Sequence, residues 1–143
     1  MVEGEGTYLG LDALAALWTA QDGASLMRRS GRLALDLSEL LGEIETEMAQ
    51  CCALTQADNG VGLRLTLQRR ATGAVSLRWK TERLRSLSAQ ELVRRVADLP
   101  VEAGRWYATL TVKVRWLNAR ERLVRHARGS TRPFLGEGFR CID

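Results

Sequence analysis

Arginine is the residue type through which this chain could do chemistry. Nineteen of its 21 basic side chains are arginine, and only Lys80 and Lys113 are lysine. A guanidinium presents a planar fork of donors that matches phosphate or carboxylate bidentately. A GC-rich genome also supplies arginine, so the ratio alone names no ligand. Spacing says more. Arg115, Asn118, Ala119, Arg122 and Arg125 recur at intervals of three and four, so they share one face of a helix. Arg128 and Arg132 carry the positive charge past its end. Arg64, Arg78 and Lys80 fall on the polar face of two alternating segments, with Arg69 and Arg70 at the turn between them. A ribbon or helix decorated in this way can follow a phosphate backbone.

The competing reading is that these cations are solvated or pair with carboxylates inside the chain. Charge is distributed so as to allow it. Residues 1–60 hold ten acidic and three basic side chains, a balance of −7. Residues 61–143 hold seven acidic and eighteen basic, a balance of +11, and the whole chain carries +4.

Other reactive patterns are thin. The chain has one histidine, His126, flanked by Arg125 and by Arg128 two residues on; it reads as a helix-surface residue. Cys51 and Cys52 are adjacent and lack the spacing that zinc or dithiol chemistry uses, and Cys141 stands alone. Asn59-Gly60-Val61-Gly62 leads into a strand, whereas a phosphate-binding glycine loop opens a helix. Glu43, Glu45 and Glu47 read as a solvated helix face. Among the four tryptophans only Trp116, beside Arg115, suits an exposed stacking surface. No base lies beside a nucleophile in any familiar hydrolytic arrangement, so a nonenzymatic role without metal or other cofactor is expected.

The elements that position the arginines follow from periodicity. Val61, Leu63, Leu65 and Leu67 alternate with polar residues, and so do Val75, Leu77 and Trp79. Arg70-Ala71-Thr72-Gly73-Ala74 supplies a reversal between them, so residues 60–80 form an antiparallel β-hairpin. Its apolar face carries Leu63, Leu65, Leu67, Val75, Leu77 and Trp79. Its polar face carries Arg64, Thr66, Gln68, Ser76, Arg78 and Lys80. A lone hairpin is marginal in water, so helices must cover the apolar side.

Leu9, Leu11, Leu14, Leu17 and Trp18 predict a short helix over roughly 9–21, stopped at Asp22-Gly23. Leu33, Leu37, Leu40, Leu41, Ile44, Met48 and Cys51 or Cys52 predict a second, acidic amphipathic helix with Gly42 as a close packing point. Ser88 to Glu91 forms a capping box with Leu87 and Leu92 as its staple, opening a short helix that Leu99-Pro100 interrupts. A longer helix then covers Glu102 to Arg128, with Ala103, Trp106, Tyr107, Leu110, Val114, Leu117 and Val124 on one stripe, broken by Glu121. The expected fold class is α+β: mostly helical, with one central hairpin packed on amphipathic helices.

At 143 residues, 45% hydrophobic and 27% charged, the chain suits one globular domain over 1–143. Residues 1–8 read as a flexible lead and 134–143 as an irregular tail. No stretch approaches a membrane span, and the acidic start does not resemble a leader sequence. The cysteine content suits a reducing cytoplasm.

The strand–turn–strand text Leu63-Arg64-Leu65, Arg69-Arg70-Ala71-Thr72-Gly73-Ala74 and Leu77-Arg78-Trp79-Lys80, followed by the Leu117-Asn118 pair, resembles small proteins of integrative conjugative elements and related plasmids of proteobacteria. The resemblance covers about half the chain and implies a cytoplasmic accessory of a mobile element. Two roles follow for this sequence. One is a nucleic-acid-associated accessory that contacts DNA or RNA through Arg64, Arg69, Arg70, Arg78, Lys80, Arg115, Arg122, Arg125 and Arg128. The other is a protein-interaction module, a homo-oligomer or subunit of a complex, in which a bare hairpin edge pairs with another chain. Neither requires a membrane or a small-molecule substrate.

Overall fold

A computed structural model describes residues 20–56 and 60–132. It contains three helices and one two-stranded antiparallel sheet, an α+β fold dominated by helix. The elements are α1 (Ala20–Thr55), β1 (Leu63–Arg69), β2 (Val75–Thr81), α2 (Ala89–Ala97) and α3 (Val101–Ser130). They divide into two compact units, residues 37–127 and a second formed by 1–36 with 128–143. In the second unit Ser30 and Thr131 are buried, and the Thr131 hydroxyl donates to the Arg128 carbonyl at 2.6 Å.

The hairpin expected over 60–80 is present. Leu65 stands opposite Trp79 and Leu67 opposite Leu77. The turn takes Gly73 to a φ of +88°, a conformation open to glycine at no steric cost. Leu63, Leu65, Val75, Leu77 and Trp79 are buried, and Leu67 packs at their margin. Against them lie Leu41, Ile44, Met48 and Cys51 from α1 and Tyr107, Leu110, Val114, Leu117 and Val124 from α3. Trp79 meets Tyr107 with ring centroids 5.9 Å apart, and Tyr107 in turn stands at 82° to Trp106 with centroids 4.7 Å apart. Apolar residues at intervals of three and four on the two long helices thus supply the cover that the sheet needs.

Three sequence expectations are corrected. Gly23 does not end a helix: α1 runs through it as one 36-residue segment. A single helical glycine costs only about 1 kcal/mol relative to alanine, and it stops a helix only where the chain turns left-handed. The helix expected over 9–21 otherwise lies outside the described residues. Gly42 is no close packing point either, since a Cβ built there meets nothing within 4 Å. Finally, α3 extends through Gly129 to Ser130.

Ser88 caps α2 as expected, its hydroxyl accepting from the Glu91 amide at 3.1 Å. The Glu91 carboxylate accepts from the Ser88 hydroxyl at 3.4 Å through one oxygen and pairs with Arg85 at 3.1 Å through the other. Upstream of the cap, Leu84 sits at a φ of +59° in a tight turn where the Leu84 amide donates to the Thr81 carbonyl.

Candidate nucleic-acid interface

Side chains engage part of each edge of the hairpin, and this decides where some of the polar residues of α3 stand. On the outer edge of β2 the Leu77 amide donates to Asn118 Oδ1 at 2.8 Å, and Asn118 Nδ2 donates back to the Leu77 carbonyl at 3.1 Å. A neighbouring strand would make the same pair of bonds. One helical turn further on, Glu121 Oε1 accepts from the Val75 amide at 3.3 Å. Beyond Leu77 the backbone of 85–87 takes over, with Leu87 N–H on the Trp79 carbonyl and the Thr81 amide on the Arg85 carbonyl. On the edge of β1, Thr55 Oγ1 accepts from the Leu65 amide at 2.8 Å and Gln56 Nε2 donates to its carbonyl at 3.3 Å. The edge expected to be bare for strand addition is therefore occupied at the middle of each strand.

The Glu121 carboxylate that breaks the apolar stripe of α3 is buried for a reason. Besides the Val75 amide it accepts from Arg125 Nε at 2.5 Å. Arg125 also lies against the turn, with a guanidinium nitrogen 3.6 Å from where a Cβ on Gly73 would stand. Its charge is spent on the fold. Asn118 is equally structural, although its spacing places it with the arginines. Sequence reading missed Thr55, Gln56, Asn118 and Glu121 as edge partners. A polar residue interrupting an apolar stripe at Glu121 was the available signal.

Packing α3 along β2 leaves a cleft of about 500 Å³ between them, lined by Arg70, Ser76, Arg78, Asn118, Glu121 and Arg122 among others. Three of the nine arginines and lysines named from the sequence meet here. The Ser76 hydroxyl oxygen is buried at this cleft with no hydrogen-bond partner. Ser76 and Arg78 belong to the polar face of the hairpin, so the cleft is continuous with that face. There Arg64 stands directly across from Lys80, and Thr66 from Arg78. Like charges directly opposite each other destabilise a sheet. Lys80 relieves part of this by donating to Ser86 Oγ at 2.7 Å. No carboxylate among the described residues pairs with Arg64, Arg70, Arg78, Arg115 or Arg122.

The remaining candidates separate from this group. Arg69 pairs with Glu45 on α1, which is the internal pairing that the charge polarity allowed. Glu39 and Glu43 are exposed and take no arginine in this way. Arg115 is exposed on α3, one turn before Asn118. Arg128 lies in the other compact unit, with its carbonyl bonded by the Thr131 amide and hydroxyl. Trp116 is exposed as expected, with the Arg120 guanidinium 4.9 Å from its ring centre.

Burial pushes the Cys51 thiol up, against a partial pull downward from Lys113, and it raises the Cys52 thiol as well. A raised thiol is a poor nucleophile and a poor metal ligand at neutral pH. Among the described residues no three histidine, cysteine or acidic side chains gather as a metal site. Nor is any described helix long and apolar enough to cross a membrane. No protein-family model, curated protein or solved structure matches the chain.

Proposed function

We propose that this chain is a nonenzymatic nucleic-acid-associated protein, an accessory of a mobile element as its hairpin text implies. It grips the phosphate backbone along the hairpin and α3. One observation carries the reading: the cleft where Arg70, Arg78 and Arg122 converge without a carboxylate partner, beside the orphan hydroxyl of Ser76. Three arginines lining one cleft repel one another, and the Glu121 carboxylate that also lines it is already engaged by Arg125 and the Val75 amide. A phosphate held between the guanidinium forks that line the cleft relieves that repulsion. Arg64 on the open polar face and Arg115 on α3 extend the positive track. Contacts of this kind read charge and backbone shape, not base sequence.

Counterion release supplies the test. With Arg64, Arg70, Arg78, Arg115 and Arg122 on about five phosphates, log affinity for duplex DNA falls against log salt with a slope of about −4 to −5. Replacing Arg78 and Arg122 together with alanine lowers that slope by nearly two units. Arg94→Ala with Arg95→Ala, on exposed positions of α2, leaves it unchanged. The same titration on single-stranded DNA and on RNA ranks the substrates. Wild-type protein that ignores all three at low salt overturns the reading.

A further inference from the structure

Helix α3 is apolar on two opposite sides. Tyr107, Leu110, Val114 and Leu117 face the core, whereas Val112, Trp116, Ala119 and Leu123 recur at intervals of four, three and four on the far side. Val112 is 67% exposed, Trp116 53% and Leu123 69%. The far stripe spans about 16 Å of helix axis. Single exposed apolar side chains are ordinary, but a contiguous row on an anchored helix marks a contact surface.

Charge on either side of the row selects the occupant. Lys113, Arg115, Arg120 and Arg122 flank it, and Arg120 lies over the Trp116 ring. Glu121, the one acidic residue between Val112 and Leu123, is turned inward onto Arg125 and the Val75 amide. Two such rows face to face would set cation against cation, so a pairing of α3 with α3 is disfavoured. An acidic helix face fits, and this chain carries one. On α1, Glu39 and Glu43 are exposed beside Gly42, Thr46, Ala49 and Ala53, which are exposed too and share the same four, three, four spacing. The site of a Gly42 Cβ is open for 4 Å around, and the Thr46 hydroxyl is satisfied inside the helix by the Gly42 carbonyl at 3.0 Å.

We infer that copies of this chain associate by seating the Val112–Trp116–Leu123 row of α3 on the acidic outer face of α1 in a second copy. Large side chains of one row lie over small ones of the other, and Lys113 and Arg120 face Glu39 and Glu43. Because the two surfaces differ, the contact is heterologous and adds copies until a ring closes.

Sedimentation velocity with light scattering tests it on the full chain. Wild type is oligomeric and loosens as salt rises. Leu123→Asp, at an exposed position, weakens association about tenfold or more by setting a charge in the apolar contact while leaving the circular dichroism unchanged. Glu39→Lys with Glu43→Lys, and separately Lys113→Glu with Arg120→Glu, are each monomeric alone. Mixed in equal amounts they assemble, since the reversed charges complement each other. A monomeric wild type overturns the inference, and so does a pair of charge-reversed variants that fails to assemble on mixing. None of these substitutions touches the cleft at Arg70, Arg78 and Arg122, so DNA affinity of Leu123→Asp reports on the nucleic-acid reading separately.

Discussion

Replacing Asn118 with alanine removes the one side chain that holds both backbone groups of Leu77 on the outer edge of β2. Two hydrogen bonds go, at 2.8 and 3.1 Å, and a donor and an acceptor are left without partners. A net hydrogen bond is worth about 1 kcal/mol, while a buried orphan costs about 1–3 kcal/mol. The Leu77 edge is partly buried and adjoins the cleft, so water can reach it in part. That places the loss toward the lower end, about 2–3 kcal/mol for the pair. Against a total stability of about 5–15 kcal/mol this is a large share, equivalent to a fall in Tm of about 5–10 °C. Urea unfolding followed by tryptophan fluorescence reads it as a lower midpoint with an unchanged slope. Asn118→Asp is the informative companion. It keeps the acceptor for the Leu77 amide but faces the Leu77 carbonyl with a second acceptor, so at neutral pH it destabilises at least as much. Acidifying the buffer protonates that carboxylate, restores a donor and recovers part of the loss. An Asn118→Ala midpoint equal to wild type refutes the edge-closing role. If that variant lost only DNA affinity, Asn118 would belong to the ligand surface instead.

Trp79→Ala empties the centre of the sheet's buried face and is expected to cost about 3–5 kcal/mol; an unchanged thermal melt counts against that burial. Leu84→Gly relieves a left-handed φ at an exposed side chain and is expected to stabilise the chain by about 0.5–1 kcal/mol; a lower Tm shows that the leucine side chain packs usefully. Ser88→Ala removes the cap of α2 and is expected to cost about 1 kcal/mol with DNA affinity intact.

The hairpin was legible because its determinants are local. Strand alternation and the Gly73 turn lie within twenty-one residues, and Ser88 with Glu91 announces a helix start in four. The core stripe of α3 was legible for the same reason, from Tyr107 through Val124. What escaped were partnerships between residues far apart in the chain. Asn118 reaches back 41 residues to Leu77 and Glu121 reaches back 46 to Val75, and no local pattern encodes such a reach. Spacing alone therefore grouped Asn118 and Arg125 with the free arginines, although both hold the sheet. The second row of α3 was in plain view at Val112, Trp116 and Leu123, but reading a helix for one apolar face hides another. Gly23 was misread because a glycine's cost is small beside what a long packed helix gains.

The distance between Leu77 and Asn118 also has a bearing on synthesis. The hairpin can form as soon as residues 60–81 are free to move, long before the helix that closes its edge exists. Until Asn118 and Glu121 arrive, β2 shows open amides along a strand rich in Val75, Leu77 and Trp79. A nascent or truncated chain ending ahead of residue 118 thus displays the sticky template for strand pairing that the finished protein conceals. Completion of α3 ends that exposure, and the last third of the chain serves as the built-in guardian of its middle.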